Sequence, residues 1–228
     1  MFSRRVEDQH LRAGFLLAGG KSSRMGTDKA FLMFDGQNLL ERALAVLGAV
    51  CDTVTIVGDP AKFARYGAAK HQAENGADSK CEPVVADIFP GCGPLAGIHA
   101  ALAHSTAELN LMLAVDMPFV SKELLAFLFV AAEASSAAVI VPRTSRGLQP
   151  LCAVYRRSFL TVAEQALQAG RYKIDAAFAD VSRHEIETAK LAAAGFTERT
   201  FFNLNTPQDR LSAEGKGKGE GKDVDCPS

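Results

Sequence analysis

Leu109-Asn110-Leu111-Met112-Leu113-Ala114-Val115-Asp116 is an almost uninterrupted apolar run that stops at a carboxylate. A strand with one wet face alternates apolar and polar residues, so a continuous run marks a central strand covered on both faces. Just upstream, Pro83-Val84-Val85-Ala86 reads as another strand, and Gly91 to Gly93 followed by Pro94 reads as a loop opening a helix with proline in its first turn. Downstream, Ser121 is placed to cap a helix through Ala134, and Ala137 to Val141 forms the next strand. Nearer the N-terminus, Phe15-Leu16-Leu17-Ala18 is a short buried strand ending at Gly19-Gly20. Leu40, Ala43, Leu44 and Leu47 recur at helical spacing up to Gly48, and the β-branched Thr53 to Val57 is bounded by Gly58-Asp59-Pro60. Beyond the centre come a strand at Leu151 to Tyr155 and a helix with Phe159, Val162, Ala163, Ala166 and Leu167 on one face.

Strand-helix alternation predicts an α/β fold, a Rossmann-like, mostly parallel sheet with helices on both faces in three α/β/α layers. Right-handed crossovers set the loops that follow the strands along one edge. Gly19 to Lys29, Asp87 to Gly93 and Asp116 to Phe119 all follow strands and are expected to converge there. The expected organisation is an extension over residues 1–12, one domain over 13–212 and a disordered tail over 213–228, where Glu214 to Lys222 lacks apolar content.

Composition narrows the function. The chain has 228 residues, 48% hydrophobic and 22% charged, with a net charge of −1. So neutral a chain offers no electrostatic footprint for nucleic acid or an anionic membrane, which favours small-molecule chemistry. Five scattered cysteines without a Cys-x-x-Cys pair argue against a disulfide framework and a zinc site. No apolar stretch reaches the roughly 18 residues of a membrane span, and Met1 to Arg12 lacks an apolar signal core, so a cytoplasmic location is expected.

The chemistry concentrates in Leu17-Ala18-Gly19-Gly20-Lys21-Ser22-Ser23-Arg24-Met25-Gly26-Thr27-Asp28-Lys29-Ala30. Adjacent glycines let backbone amides approach a polyphosphate, and Lys and Arg neutralise charge developing on it. A tight turn with a solvated basic face would use the same residues. A P-loop would need glycine at position 15, where Phe15 stands, and the G-x-G-x-x-G spacing of a dinucleotide site is absent. Asp116 offers a hard oxygen of the kind magnesium prefers, although aspartate at a strand end also forms turns.

The pattern Leu-Ala-Gly-Gly-x-Ser-x-Arg-Met-Gly-x-Asp-Lys-Ala resembles the N-terminal signature of the molybdenum cofactor guanylyltransferase (MobA-like) family, within the nucleotidyltransferase superfamily. The resemblance continues through Leu39-Leu40-Glu41-Arg42, Asp87, Gly93 to Gly97, Asp116-Met117-Pro118, Gln149-Pro150-Leu151 and Asn203 to Pro207, in the family's order over residues 14–211. It implies a nucleotidyltransferase fold and transfer of GMP from GTP to molybdopterin or its molybdenum-loaded form. It also implies Mg2+, with Mn2+ as a substitute, and transient contact with cofactor-biosynthesis proteins and molybdoenzyme chaperones. By the same resemblance, Leu17, Ala18 and Gly19 contact the nucleotide, Lys29 neutralises triphosphate charge, Asp87 lies near the guanosine and Asp116 binds the metal. Gly20 and Arg24 are added to the phosphate set on their amide and charge. Gln149 resembles a position lining the pterin site, Asn205 lies beside metal and acceptor with Asn203, and Arg171 and Lys173 are candidates for the acceptor's phosphate. Where family members carry an asparagine after the second strand, this chain has Gly58-Asp59-Pro60. A cytidylyl or other nucleotidyltransferase, and a non-catalytic GTP or cofactor carrier, are the alternatives.

Overall fold

The computed structural model describes residues 11–19, 29–63, 84–205 and 209. Gly20, Arg24, Thr206 and Pro207 of the last family motif, and the expected tail lie outside them.

Strand β1 (Arg12–Leu17) pairs in parallel with both β4 (Thr53–Val57) and β5 (Leu109–Ala114), so the apolar run that ends at Asp116 lies inside the sheet. β1 takes in Arg12, the last residue of the expected extension, whose N–H donates to Asp52 Oδ2 at 2.9 Å. On the other flank of β5 lie β8 (Cys152–Arg156), then β6 (Val139–Thr144), with the short β7 (Gly147–Leu148) and β9 (Arg183–Ile186) both on β6. β8 runs antiparallel to both β5 and β6. The connection from Thr144 to Cys152 explains this, because a parallel crossover needs about a dozen residues or more. β7 instead turns back on β6 before β8 returns. The other main strands share one direction, so the sheet is mixed but mostly parallel. Of the expected strand at Pro83 to Ala86, Pro83 lies outside the described residues, and the remainder forms a parallel bridge between Val57 and Val85.

Side chains alternate between two cores. Leu16, Ile56, Leu111, Leu113, Ile140 and Val154 pack against helices α1 (Leu39–Gly48) and α3 (Lys122–Glu133). Phe15, Met112, Val139, Val141, Ala153 and Tyr155 face α2 (Pro94–His104), α4 (Phe159–Gln168) and α5 (Ile174–Phe178). Helix α6 (Thr188–Ala193) brings Leu191 to the first core. The three-layer α/β/α arrangement follows directly from β5 having two buried faces. Truncating Leu111 to alanine would cost about 2–5 kcal/mol for lost burial and the cavity left. Asn110 sits within that run because its buried amide donates to the carbonyls of Ala107 (3.0 Å) and Tyr155 (3.3 Å).

Local signals account for most boundaries. Asn38 caps α1 by accepting from Glu41 N–H at 2.8 Å, Ser121 caps α3 by accepting from Leu124 N–H, and Pro94 opens α2. Before α1, β2 (Met33–Phe34) and β3 (Gln37–Asn38) form a hairpin around Asp35-Gly36, both with positive φ. Asp-Gly favours that two-residue turn, and the sequence reading passed over it. Cys51 and Cys152 are buried, their thiols pushed up to about 12 by desolvation, which makes them packing groups rather than nucleophiles.

Candidate active site

The carboxyl ends of β1, β4 and β5 open onto a cleft of about 540 Å3, with Leu17, Ala18 and Gly19 on one wall and Asp116 and Lys29 at one end. Backbone bonds lock this edge together. Ala18 N–H donates to Val57 O (2.9 Å), Val115 N–H to Leu17 O (3.2 Å) and Gly58 N–H to Val85 O (2.9 Å). The last bond holds the segment that leads to Asp87 beside the end of β4. Gly91, Gly93, Pro94 and Gly97 complete the α2 side. Gly93 precedes the helix at φ +76°, a conformation that favours glycine, and brings the chain from the Asp87 loop into the first turn of α2. Phe89 stacks edge-on against His99 of α2 at 5.0 Å and pins that loop from below.

Three side chains far apart in sequence meet at the end of β5. Lys29 Nζ donates to Asn205 Oδ1 at 2.8 Å and lies 3.6 Å from Asp116 Oδ2. Leu204 N–H donates to Asp116 O at 2.8 Å, which fastens the Asn203-Leu204-Asn205 segment to the β5 turn. Asp116 is only 19% exposed, and burial raises its pKa against the lowering influence of Lys29. Across the cleft, burial also raises the pKa of Asp87, whose Oδ1 has no hydrogen-bond partner among the described residues. A Cβ on Gly19 would lie 3.8 Å from Asp87 Oδ2, and one on Gly97 would lie 3.8 Å from Oδ1. Both are ordinary van der Waals distances, so the two glycines pack close beside a carboxylate whose Oδ1 is buried.

Leu17, Ala18, Gly19, Lys29, Asp87 and Asp116 thus line one cleft, and Asn205 joins it through Lys29. The segments 87–93 and 116–119 converge as the topology required. Gln149 does not line that cleft, since its carboxamide donates to Thr144 Oγ1 (2.9 Å) and Gly147 O (3.3 Å) within the β6–β7 turn. Arg171 is exposed and paired with Asp180 at 2.9 Å, and Lys173 precedes α5 on the surface. Their loop does approach the site, with Tyr172 O 3.9 Å from a Cβ built on Gly93. Gly97 and Leu151 are lining residues the sequence reading did not single out. A glycine in the first turns of a helix behind a Gly-Pro loop was the available signal for Gly97, and the Gln149-Pro150-Leu151 motif was the one for Leu151. Gly58-Asp59-Pro60 has a local explanation. Asp59 Oδ1 accepts from Ala61 N–H at 2.9 Å, and any Cβ at Gly58 would strike Phe63 Cε2 at 2.8 Å.

A model of the MobA-like NTP transferase domain matches residues 14–184. The chain belongs to that family. A probable molybdenum cofactor guanylyltransferase of Pelotomaculum thermopropionicum is 36% identical over 200 residues, covering 88% of this chain and 90% of the relative. The molybdenum cofactor guanylyltransferase of Desulfosudis oleivorans is 32% identical over 203 residues, with 88% and 93% covered. Among solved structures, molybdopterin-guanine dinucleotide biosynthesis protein A from Archaeoglobus fulgidus superposes with a TM-score of 0.74 at 28% identity, over 90% of this chain and 98% of that one. The 2-C-methyl-D-erythritol 4-phosphate cytidylyltransferase of Thermus thermophilus, at 20% identity and a TM-score of 0.60, shares the fold. A member of this family is a nucleotidyltransferase, and the cleft at the carboxyl edge of β1 and β5 is where the family's motifs converge. No helix among the described residues is long and apolar enough to cross a membrane.

Proposed function

We propose that this nucleotidyltransferase moves GMP from GTP to molybdopterin, forming a guanine dinucleotide cofactor and releasing pyrophosphate. The observation that carries the reading is the meeting of Lys29, Asp116 and Asn205 at the mouth of a glycine-walled cleft. The acceptor's phosphate oxygen forms a bond to the α-phosphorus while the bond to the β-phosphate oxygen breaks, and pyrophosphate leaves with that electron pair. A phosphate oxygen is already a nucleophile, so the step needs no general base. Lys29 neutralises charge on the triphosphate, the Gly19 amide approaches its oxygens, and the Asp87 carboxylate accepts from donors of the nucleoside.

The donor set fits a magnesium ion. Asp116 is a hard carboxylate whose burial penalises its charge and whose cationic neighbour among the described residues, Lys29, stands 3.6 Å away, so a further cation would relieve that penalty. Asn203 Oδ1, buried and without a hydrogen-bond partner among the described residues, is a further oxygen in the segment tied to Asp116. No cluster of three or more His, Cys, Asp or Glu is found among the described residues, which suits an ion held by one or two protein oxygens together with substrate phosphates. When bound there, magnesium would act as a Lewis acid on the phosphates. Free Cys51, Cys92 and Cys152 suit a reducing compartment, and we assign the enzyme to the cytoplasm.

Pyrophosphate release by the purified protein with Mg2+ and molybdopterin, supplied separately with GTP, CTP, ATP and UTP, tests the reading. Release with GTP alone and a guanine dinucleotide product is expected. Release with CTP instead would move the enzyme to the cytidylyl branch, and GTP binding without release would make it a carrier.

A further inference from the structure

Beside Asp116, on the side of the sheet covered by α1 and α3, three aromatic rings form a row. Phe34 and Phe119 meet edge to face at 5.4 Å, and Phe119 and Phe202 lie 6.4 Å apart. Each ring carries a guanidinium: Arg42 over Phe34 at 5.8 Å, Arg199 over Phe119 at 4.5 Å and Arg146 over Phe202 at 5.9 Å. Arg42 is fixed by a bond from Nε to Pro118 O at 2.6 Å, whereas Arg146 and Arg199 are exposed. Among the described residues neither Arg42 nor Arg146 has a carboxylate partner, and the nearby Glu198 Oε1 accepts from Ser145 N–H at 2.8 Å. Burying such rings explains their contact with the core but not three arginines gathered over them from α1, the β6–β7 turn and the segment before Phe202.

The row adjoins the reacting centre. Phe119 stands three residues after Asp116, and Phe202 stands two before Leu204, whose N–H is bonded to Asp116 O. At no more than about 3.6 Å per residue, both rings are anchored within roughly 11 Å of Asp116 along the backbone. The nucleotide cleft lies against α2, and the arginine-aromatic row lies on the α1 side. Asp116, Lys29 and Asn205 are the boundary between them.

We infer that Arg146 and Arg199, supported on Phe202 and Phe119, form the recognition platform for the acceptor, gripping a flat heteroaromatic ring system that carries anionic groups. Guanidinium planes stack on such rings and donate in pairs to anionic oxygens, and a ring beneath each guanidinium holds it in place at small entropic cost. The row's distance from Asp116 suits an acceptor whose phosphate reacts at Asp116 while its ring rests on the arginines. This inference rests on the proposed acceptor chemistry and supplies its specificity; it adds no step to the reaction.

Arg146→Ala, Arg199→Ala and their lysine counterparts, studied as full-length protein, test the platform. With wild type releasing pyrophosphate from GTP, each alanine variant should raise the KM for molybdopterin by about 5-fold, the value of an exposed cation-π contact together with a weakened anion contact. The KM for GTP and the thermal midpoint should stay at wild-type values, and the lysine variants should recover only part of the loss because they keep charge without a plane. An unchanged acceptor KM in both alanine variants, with wild type active, would overturn the platform and leave the reaction standing. Fluorescence titration with a 6-substituted pterin phosphate, free of GTP, keeps the two readings apart. If wild type is inactive yet binds that probe in an Arg146- and Arg199-dependent manner, the platform stands and the choice of reaction falls. If the probe is not bound, or is bound equally by the variants, the platform is wrong.

Discussion

Asp116 and Asp87 face the same cleft from opposite sides, and burial raises the pKa of both, yet they keep different company. Asp116 ends the most buried strand, with Lys29 at 3.6 Å and the Asn203-Leu204-Asn205 segment strapped to its backbone. Asp87 follows a single β-bridge and, among the described residues, makes no ion pair and leaves its buried Oδ1 without a partner, with Gly19 and Gly97 packed near it. A buried carboxylate among cations and oxygens is arranged for charge that changes during the reaction. One left unpaired between glycines is arranged for donors that a ligand brings. Under the proposed function the difference separates a reaction end of the cleft from a recognition end, and variants of the two ends should move one without the other.

The largest effect belongs to Asp116. Asp116→Ala should lower turnover on the order of 10²-fold or more at saturating Mg2+ and GTP, the loss expected for a main electrostatic group. Near-normal turnover would remove it from the reaction end. The same residue should act oppositely on stability. A carboxyl whose folded pKa is raised contributes most while it is protonated, and that contribution is lost as pH rises from its ordinary 3.8 through the folded value. Asp116→Asn imitates the protonated form. Without nucleotide or metal it should therefore melt above wild type at pH 7, and the two thermal midpoints should converge below pH 4, as calorimetry across that range would read. Saturating Mg2+ should reverse the order at pH 7 by stabilising wild type alone.

Lys29→Ala comes next, with turnover falling about 10- to 100-fold. Its Nζ holds both Asn205 and Asp116, so the loss should combine with that of Asp116→Ala less than additively in a double-mutant cycle. Full additivity would mean that the two side chains act apart despite their contact.

Reaction and recognition ends were not equally legible in the sequence. Asp116 stood out because an eight-residue pattern, an apolar run cut by a carboxylate, fixes both its strand and its place at the strand's end. Lys29 stood out only within a motif, and its bond to Asn205 spans 176 positions that no local pattern relates. The sheet's parallel half followed from buried strands separated by helices. β8 was found as a strand, but its direction depends on a tight β6–β7 return that periodicity does not encode. β9 was missed because Arg183-His184-Glu185 reads as surface, and only Ile186 of that edge strand is buried. Gln149 looked like a ligand contact from its motif, whereas its amide is committed to the turn that carries Arg146. The arginine-aromatic row escaped entirely, since Phe34, Phe119 and Phe202 lie on separate segments that tertiary packing alone brings together.

At the recognition end the expected effects are smaller and fall on KM. Asp87→Asn keeps the shape and one oxygen acceptor but removes the charge, and a hydrogen bond to a charged group is worth about 1.5–3 kcal/mol. The KM for GTP should rise by about 10-fold, with kcat within about 3-fold of wild type. A kcat loss matching that of Asp116→Ala would erase the distinction between the two ends.

Gly97→Ala offers the finest division, because there stability and recognition pull in opposite directions. The new Cβ would sit 3.5 Å from Leu17 Cδ2, 3.8 Å from Asp87 Oδ1 and 3.9 Å from Val57 Cγ1, all ordinary van der Waals distances, so the fold accommodates it. Within α2, alanine should stabilise the helix by up to about 1 kcal/mol relative to glycine, raising the thermal midpoint. The added methyl also occupies the cleft wall beside Asp87, where the nucleoside's donors would approach, and places an apolar group against a carboxylate that is already costly to desolvate. GTP should then bind about 3-fold more weakly while the molybdopterin KM stays unchanged, a contrast that isothermal titration and steady-state kinetics on one preparation would resolve. Were the variant both more stable and unaltered toward GTP, the glycine would serve helix-sheet packing alone, and the recognition end would have to lie nearer Gly19 than Gly97.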